Sequence, residues 1–128
     1  MEYSMIIILL AMIQYLFFGL RTGLARTKYN VQPPKTTGDE TWERLHRVHQ
    51  NTLEQLIVFI PAQLLFSYYI SPKWAIIPGV GYLFARQLYS YTYIKNPVKR
   101  MFPPTFFINV FLIIASLVGV VMSLMKAL

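Results

Sequence analysis

The stretch spanning residues 43–54 carries most of the chain's polar chemistry. On a helix with about 100° per residue, its polar side chains fall within an arc of roughly 120°; they are Glu43, Arg44, Arg47, Gln50, Asn51 and Glu54. The stretch runs into the apolar residues 56–60 without Gly or Pro, which predicts one long helix that enters a bilayer. An ionised Glu54 that faced lipid would be costly, so we expect this carboxylate to face protein, water or a ligand.

Further polar side chains are predicted at the same end of the molecule. Arg86, Tyr89 and Tyr93 share one face of the third hydrophobic stretch, and Arg26 and Arg100 lie in the expected loops. This excess of cations over one carboxylate suits a small ligand with two carboxylates and one ammonium group, because arginine binds carboxylates with two hydrogen bonds. Glutathione has this charge pattern, and a nearby arginine would favour its thiolate.

Structural roles for the same residues remain open. Arg47 and Glu54 can instead form a buried ion pair that joins helices, and Arg86 with its tyrosines can form an interfacial belt. A metal site is not expected, because His46 and His49 lack the i, i+4 spacing of a zinc-binding helix and the chain has no Cys.

The elements that position these residues are predicted to be membrane helices. Hydrophobic residues make up 55% of the 128 residues and charged residues 13%, against about 25% charged in soluble domains. We predict an all-α, integral membrane four-helix bundle that forms a single domain over residues 1–128. Its spans are expected at approximately residues 5–25, 42–70, 74–95 and 104–126.

Basic residues set the predicted orientation. They concentrate in or beside the first and third loops, whereas the second loop has Lys73 alone. The positive-inside rule therefore makes the polar end of the bundle cytoplasmic and leaves both termini on the other side. The net charge of +7 is accounted for in this way, without a nucleic-acid partner.

Three motifs link the chain to a known family. They are P-P-x-T-T-G at residues 33–38, E-R-x-x-R-x-x-x-N-x-x-E at 43–54 and Y-L-F-A-R-x-x-Y-x-x-x-Y at 82–93. With these motifs the chain resembles the MAPEG family (membrane-associated proteins in eicosanoid and glutathione metabolism), in its microsomal glutathione transferase and leukotriene C synthase branch.

The resemblance implies a homotrimer that binds glutathione between neighbouring subunits at the cytoplasmic end. One subunit would bind glutathione through Arg47, Asn51, Glu54, Tyr89, Tyr93 and Arg100, with Arg86 on the same face, and the next subunit through Arg26 and His49. Arg100 would be the catalytic residue that stabilises the thiolate.

The function that this resemblance implies is a membrane glutathione transferase for lipophilic electrophiles that reach it through the lipid, with reduction of lipid hydroperoxides as a second activity. Thr27, Gln55 and Met101 depart from the patterns of the leukotriene and prostaglandin synthases, which disfavours those activities. A scaffold without turnover, resembling the five-lipoxygenase-activating protein, and a small four-helix transporter remain as alternatives. The expected location is a bacterial inner membrane or the endoplasmic reticulum, with the active site facing the cytoplasm.

Overall fold

The computed structural model describes residues 1–95 and 104–128, and these residues form four long helices. In chain order the helices are α1 (Glu2–Tyr29), α2 (Glu40–Tyr69), α3 (Ile76–Lys95) and α4 (Pro104–Ala127). Helix α2 packs against all three others, and α3 also packs against α1 and α4. The predicted all-α fold with four helices is confirmed. Arg100 and Met101 lie outside the described residues.

Helix α1 extends further than the sequence pattern predicted. We expected the first span to end near residue 25 and Arg26 to lie in a loop, but the helix continues to Tyr29 and places Arg26 on a regular helix. Residues 21–29 are rich in polar side chains, which suggested a loop near their end. They contain only one helix breaker, Gly23, so helix propensity favours continuation of the helix. The helix ends at Asn30, whose left-handed conformation (φ 56°) lets its N–H bond to the carbonyl oxygen of Arg26.

An aspartate caps the beginning of helix α2. The Asp39 carboxylate accepts a hydrogen bond of 2.9 Å from the Trp42 N–H, and this bond satisfies a backbone donor that the first helical turn leaves free. The helix then continues through Pro61 to Tyr69. A short turn follows, in which Ser71 Oγ accepts from the Trp74 N–H at 3.2 Å, and α3 runs back beside α2.

The core of the bundle draws on all four helices. Ala11, Phe59, Tyr82 and Leu112 are fully buried within it, and the rings of Phe59 and Tyr82 stack with their centroids 3.8 Å apart. By contrast, large apolar side chains cover the outer faces of α1 and α4. Both helices are long and apolar enough to cross a membrane, with mean hydropathies of 2.1 and 2.5 in their most apolar segments. Such an outer surface is typical of a protein in lipid.

Candidate functional site

Arg47 and Glu54 form an ion pair along the exposed face of α2. Arg47 Nη1 lies 3.1 Å from Glu54 Oε1, and the two side chains are 52% and 57% exposed. Because both residues belong to the same helix and neither is buried, the interpretation of a buried ion pair that joins helices is wrong within the single chain. The pair instead leaves both charged groups accessible on a surface that the single chain does not cover.

Arg86 of α3 is fully buried and binds α2. Its Nη1 donates to Asn51 Oδ1 at 3.0 Å, and its Nη2 donates to Thr52 Oγ1 at 2.7 Å. The guanidinium carbon also lies 4.3 Å from the centre of the Tyr89 ring. Arg86 is therefore not part of an interfacial belt, and that alternative is wrong as well. Its contacts fix the position of the Asn51 amide, a predicted ligand of glutathione.

Two tyrosines extend the same face along α3. The rings of Tyr89 and Tyr93 stack with their centroids 5.3 Å apart, and Tyr89 packs with Phe18 and Val48. The Tyr89 hydroxyl interacts electrostatically with three nearby charged side chains, which are those of Arg86, Arg47 and Glu54. The structure thus brings together six predicted site residues between α2 and α3: Arg47, Asn51, Glu54, Arg86, Tyr89 and Tyr93.

Arg26 of α1 and His49 of α2 lie where these two helices pack against each other. Arg26 Nη1 donates to the carbonyl oxygen of Lys35 at 2.7 Å, and its guanidinium lies 4.4 Å from the centre of the Trp42 ring. His49 stacks on Tyr15 with ring centroids 4.6 Å apart. One chain therefore does not bring these two residues to the face that holds Arg47. Their predicted role in a neighbouring subunit's site stays a prediction, as does the role of Arg100.

Thr52 was not predicted to belong to this site, but it accepts a bond from Arg86 and its hydroxyl donates to the Val48 carbonyl oxygen at 2.7 Å. One signal was present, because an arginine within a predicted membrane helix needs acceptors and Thr52 directly follows Asn51 in the polar stretch. Arg44 forms a further link between helices that the sequence pattern did not indicate. Its Nη1 donates to the Ile94 carbonyl oxygen at 2.9 Å, near the carboxyl end of α3.

Four packed helices with apolar outer faces and a polar face between α2 and α3 define a four-helix bundle of the kind expected in a membrane. Sequence comparison supplies the family. A sequence model of the MAPEG family matches residues 4–122. The chain therefore belongs to the MAPEG family, and the resemblance stated above is confirmed. Together with the two apolar helices, membership indicates an integral membrane protein.

Three relatives illustrate the similarity. Protein sll1147 of Synechocystis is 47% identical over 92 residues, which are 72% of this chain and 67% of that protein. A probable microsomal glutathione S-transferase of Dictyostelium discoideum is 42% identical over 80 residues, or 62% and 54% of the two chains. Human microsomal glutathione S-transferase 2 is 34% identical over 93 residues, or 73% and 63%. The chain thus spans less than two thirds of the length of these two transferases.

Proposed function

We propose that the protein is a glutathione transferase of the membrane, which joins the thiolate of glutathione to lipophilic electrophiles. Reduction of lipid hydroperoxides by the same thiolate is proposed as a second activity. The names of the relatives in Dictyostelium and human support the transferase class. The observation that most strongly supports the proposal is the ion pair of Arg47 and Glu54, because it presents two opposite charges on an uncovered face beside Asn51 and Tyr93.

This face matches the amino-acid end of glutathione. Glu54 would accept the ammonium group, and Arg47 would bind the neighbouring carboxylate, so that a ligand with both charges replaces each residue's present partner. Asn51 and the two tyrosines, Tyr89 and Tyr93, would donate or accept hydrogen bonds along the peptide. Arg86 is assigned a positioning role, because its terminal nitrogens already bind α2 and its side chain is inaccessible.

The exposure of the same face supports a site between subunits. Polar side chains continue along α2 into the part of the helix that is flanked by apolar residues, where contact with lipid is costly. A neighbouring copy would cover these groups and could contribute its own Arg26 and His49. We therefore propose a homotrimer with shared glutathione sites that open to the cytoplasm.

The proposed reaction requires a thiolate. Glutathione would lose its thiol proton to solvent, the sulfur would donate an electron pair to an electrophilic carbon, and a leaving group would depart with its bonding electrons. A thiol of ordinary pKa is only a few per cent ionised at neutral pH, and a nearby cation increases that fraction. Arg100 is proposed as this cation, and the lipophilic substrate would arrive laterally from the bilayer.

One assay tests the proposed activity. Purified protein in detergent is expected to conjugate glutathione to an aryl halide and to show ultraviolet thiolate absorbance when glutathione binds. Arg100→Ala should lose the thiolate band and cut the rate by at least about tenfold, with a smaller change in affinity, because each unit of thiol pKa corresponds to about 1.36 kcal/mol. Wild-type protein that binds glutathione without a thiolate band or turnover would contradict the enzyme and favour a scaffold.

A further inference from the structure

Helix α1 holds the imidazole of His49 by two contacts on adjacent turns. The ring stacks on Tyr15 with a centroid distance of 4.6 Å and an interplanar angle of 23°. Gly19 lies four residues further along the same face of α1, and the space beside it is filled by the tip of the imidazole. A Cβ atom at Gly19 would lie 2.8 Å from His49 Nε2 and 3.3 Å from Cε1. We call Tyr15 and Gly19 the His49 clamp.

We propose that the two residues of the clamp are positioning residues, which fix the His49 imidazole in the orientation that glutathione binding requires. This inference rests on the proposed function, in which His49 contacts the glutathione held by a neighbouring subunit. A side chain that is ordered before the ligand arrives loses less conformational freedom on binding, so a preorganised imidazole gives a higher affinity. Tyr15 restricts the ring by stacking, and the missing side chain of Gly19 leaves space for the ring tip beside this turn of α1.

The position of Gly19 permits a variant that moves the ring without unfolding the protein. The atoms that a new Cβ would meet belong to the far end of the His49 side chain, which can rotate away from α1. Alanine is also a better helix former than glycine by about 1 kcal/mol, so the helix itself gains from the substitution. We therefore expect Gly19→Ala to retain the fold and to displace the imidazole.

Gly23 provides a matched control on the same helix, one turn beyond Gly19. Among the described residues, no atom other than its own helix backbone and chain neighbours lies within 4 Å of a Cβ added at Gly23. Gly23→Ala therefore makes the same chemical change with no contact to His49. Any effect of Gly→Ala on α1 alone should appear equally in both variants.

The experiment measures glutathione affinity by calorimetry on the full-length protein in detergent. Gly19→Ala is expected to weaken glutathione binding by about three- to tenfold, the range for one lost hydrogen bond, and Gly23→Ala by less than about twofold. In a His49→Ala background, Gly19→Ala should have no further effect, because the ring that it displaces is gone. Thermal unfolding midpoints should be the same for Gly19→Ala and Gly23→Ala.

A second pair of variants tests the stacking contact. Tyr15→Phe keeps the aromatic ring and should retain wild-type affinity for glutathione, whereas Tyr15→Leu should weaken it by an amount that again disappears in the His49→Ala background. The inference is overturned if His49→Ala leaves affinity unchanged, or if the variants of the clamp lose as much affinity without His49 as with it. Wild-type protein that binds no glutathione would instead overturn the proposed function.

Discussion

Arg47 and Glu54 neutralise each other in the absence of a ligand, and the weakness of such a pair suits a binding site. Both side chains are about half exposed, and exposed ion pairs contribute only about 0–1 kcal/mol. Little free energy therefore opposes their separation. A ligand that offers an ammonium group to Glu54 and a carboxylate to Arg47 replaces one ion pair by two.

Glu54→Gln should selectively weaken ligands that carry the amino group. The substitution keeps the size of the side chain and removes the charge that would bind the ammonium group, so we expect a loss of about 1.5–3 kcal/mol in glutathione binding. Calorimetry with glutathione and with an analogue that lacks the α-amino group provides the comparison. Equal losses for the two ligands would show that Glu54 does not bind the ammonium group.

Arg86→Met should destabilise the protein itself. Methionine fills a similar volume but cannot donate, which leaves Asn51 Oδ1 and Thr52 Oγ1 without their bonds to α3. An unsatisfied buried polar group costs about 1–3 kcal/mol, and the loss should appear as a lower thermal unfolding midpoint in detergent. Lys28→Met is the control, since this exposed side chain lies in the last turn of α1 and should change stability by less than about 0.5 kcal/mol. Equal unfolding midpoints for Arg86→Met and Lys28→Met would contradict a stabilising link between α2 and α3 through Arg86.

At the scale of helices, a glycine allows α3 to approach both α1 and α2. A Cβ at Gly79 would lie 2.8 Å from Ile7 Cδ1 of α1 and 3.0 Å from Gln63 Nε2 of α2. The Gln63 amide cannot easily move away, because its Nε2 donates to Ser4 Oγ at 2.9 Å and to the Ala75 carbonyl oxygen at 2.8 Å. Close packing of helices and buried polar bonds therefore occur at the same crossing, as they commonly do in membrane proteins.

Gly79→Ala should consequently be less stable than Gly81→Ala, its matched control on the same helix. Overpacking costs about 1–3 kcal/mol, which exceeds the gain of about 1 kcal/mol in helix preference. At Gly81 the nearest atom to an added Cβ is Ile108 Cδ1 at 3.4 Å, so the same substitution should be neutral or stabilising. Thermal unfolding of both variants in one detergent measures the difference. Similar midpoints would mean that the helices adjust to an added Cβ at Gly79 without loss of stability.

At the scale of the whole molecule, the uncovered polar face of α2 requires a partner or water. A neighbouring copy would offer the chemistry of Arg26 and His49, which lie where α1 packs against α2. We expect a homotrimer in native mass spectrometry from mild detergent, and each Glu54→Gln subunit in a mixed trimer should weaken one of its glutathione sites. A stable monomer with full glutathione affinity would contradict shared sites.

Hydrophobic patterning in the sequence determines a large part of this architecture. Apolar stretches predicted all four helices, because the periodicity of hydrophobic residues is a local feature. The spacing of Arg47, Asn51 and Glu54 likewise placed them on one face, since α-helical periodicity requires it. The end of α1 was predicted wrongly, because polar side chains are as common in the last turns of a helix as in a loop.

Tertiary structure decided which of these polar groups are accessible. Arg86 and Arg47 look alike as cations in polar stretches, yet one is fully buried beneath Asn51 and Thr52 and the other is half exposed. Likewise, the space beside Gly19 belongs to His49, thirty residues away along the chain. Helical periodicity is local and can be read from neighbouring residues, whereas accessibility depends on which surfaces of distant helices meet, and that depends on packing in three dimensions.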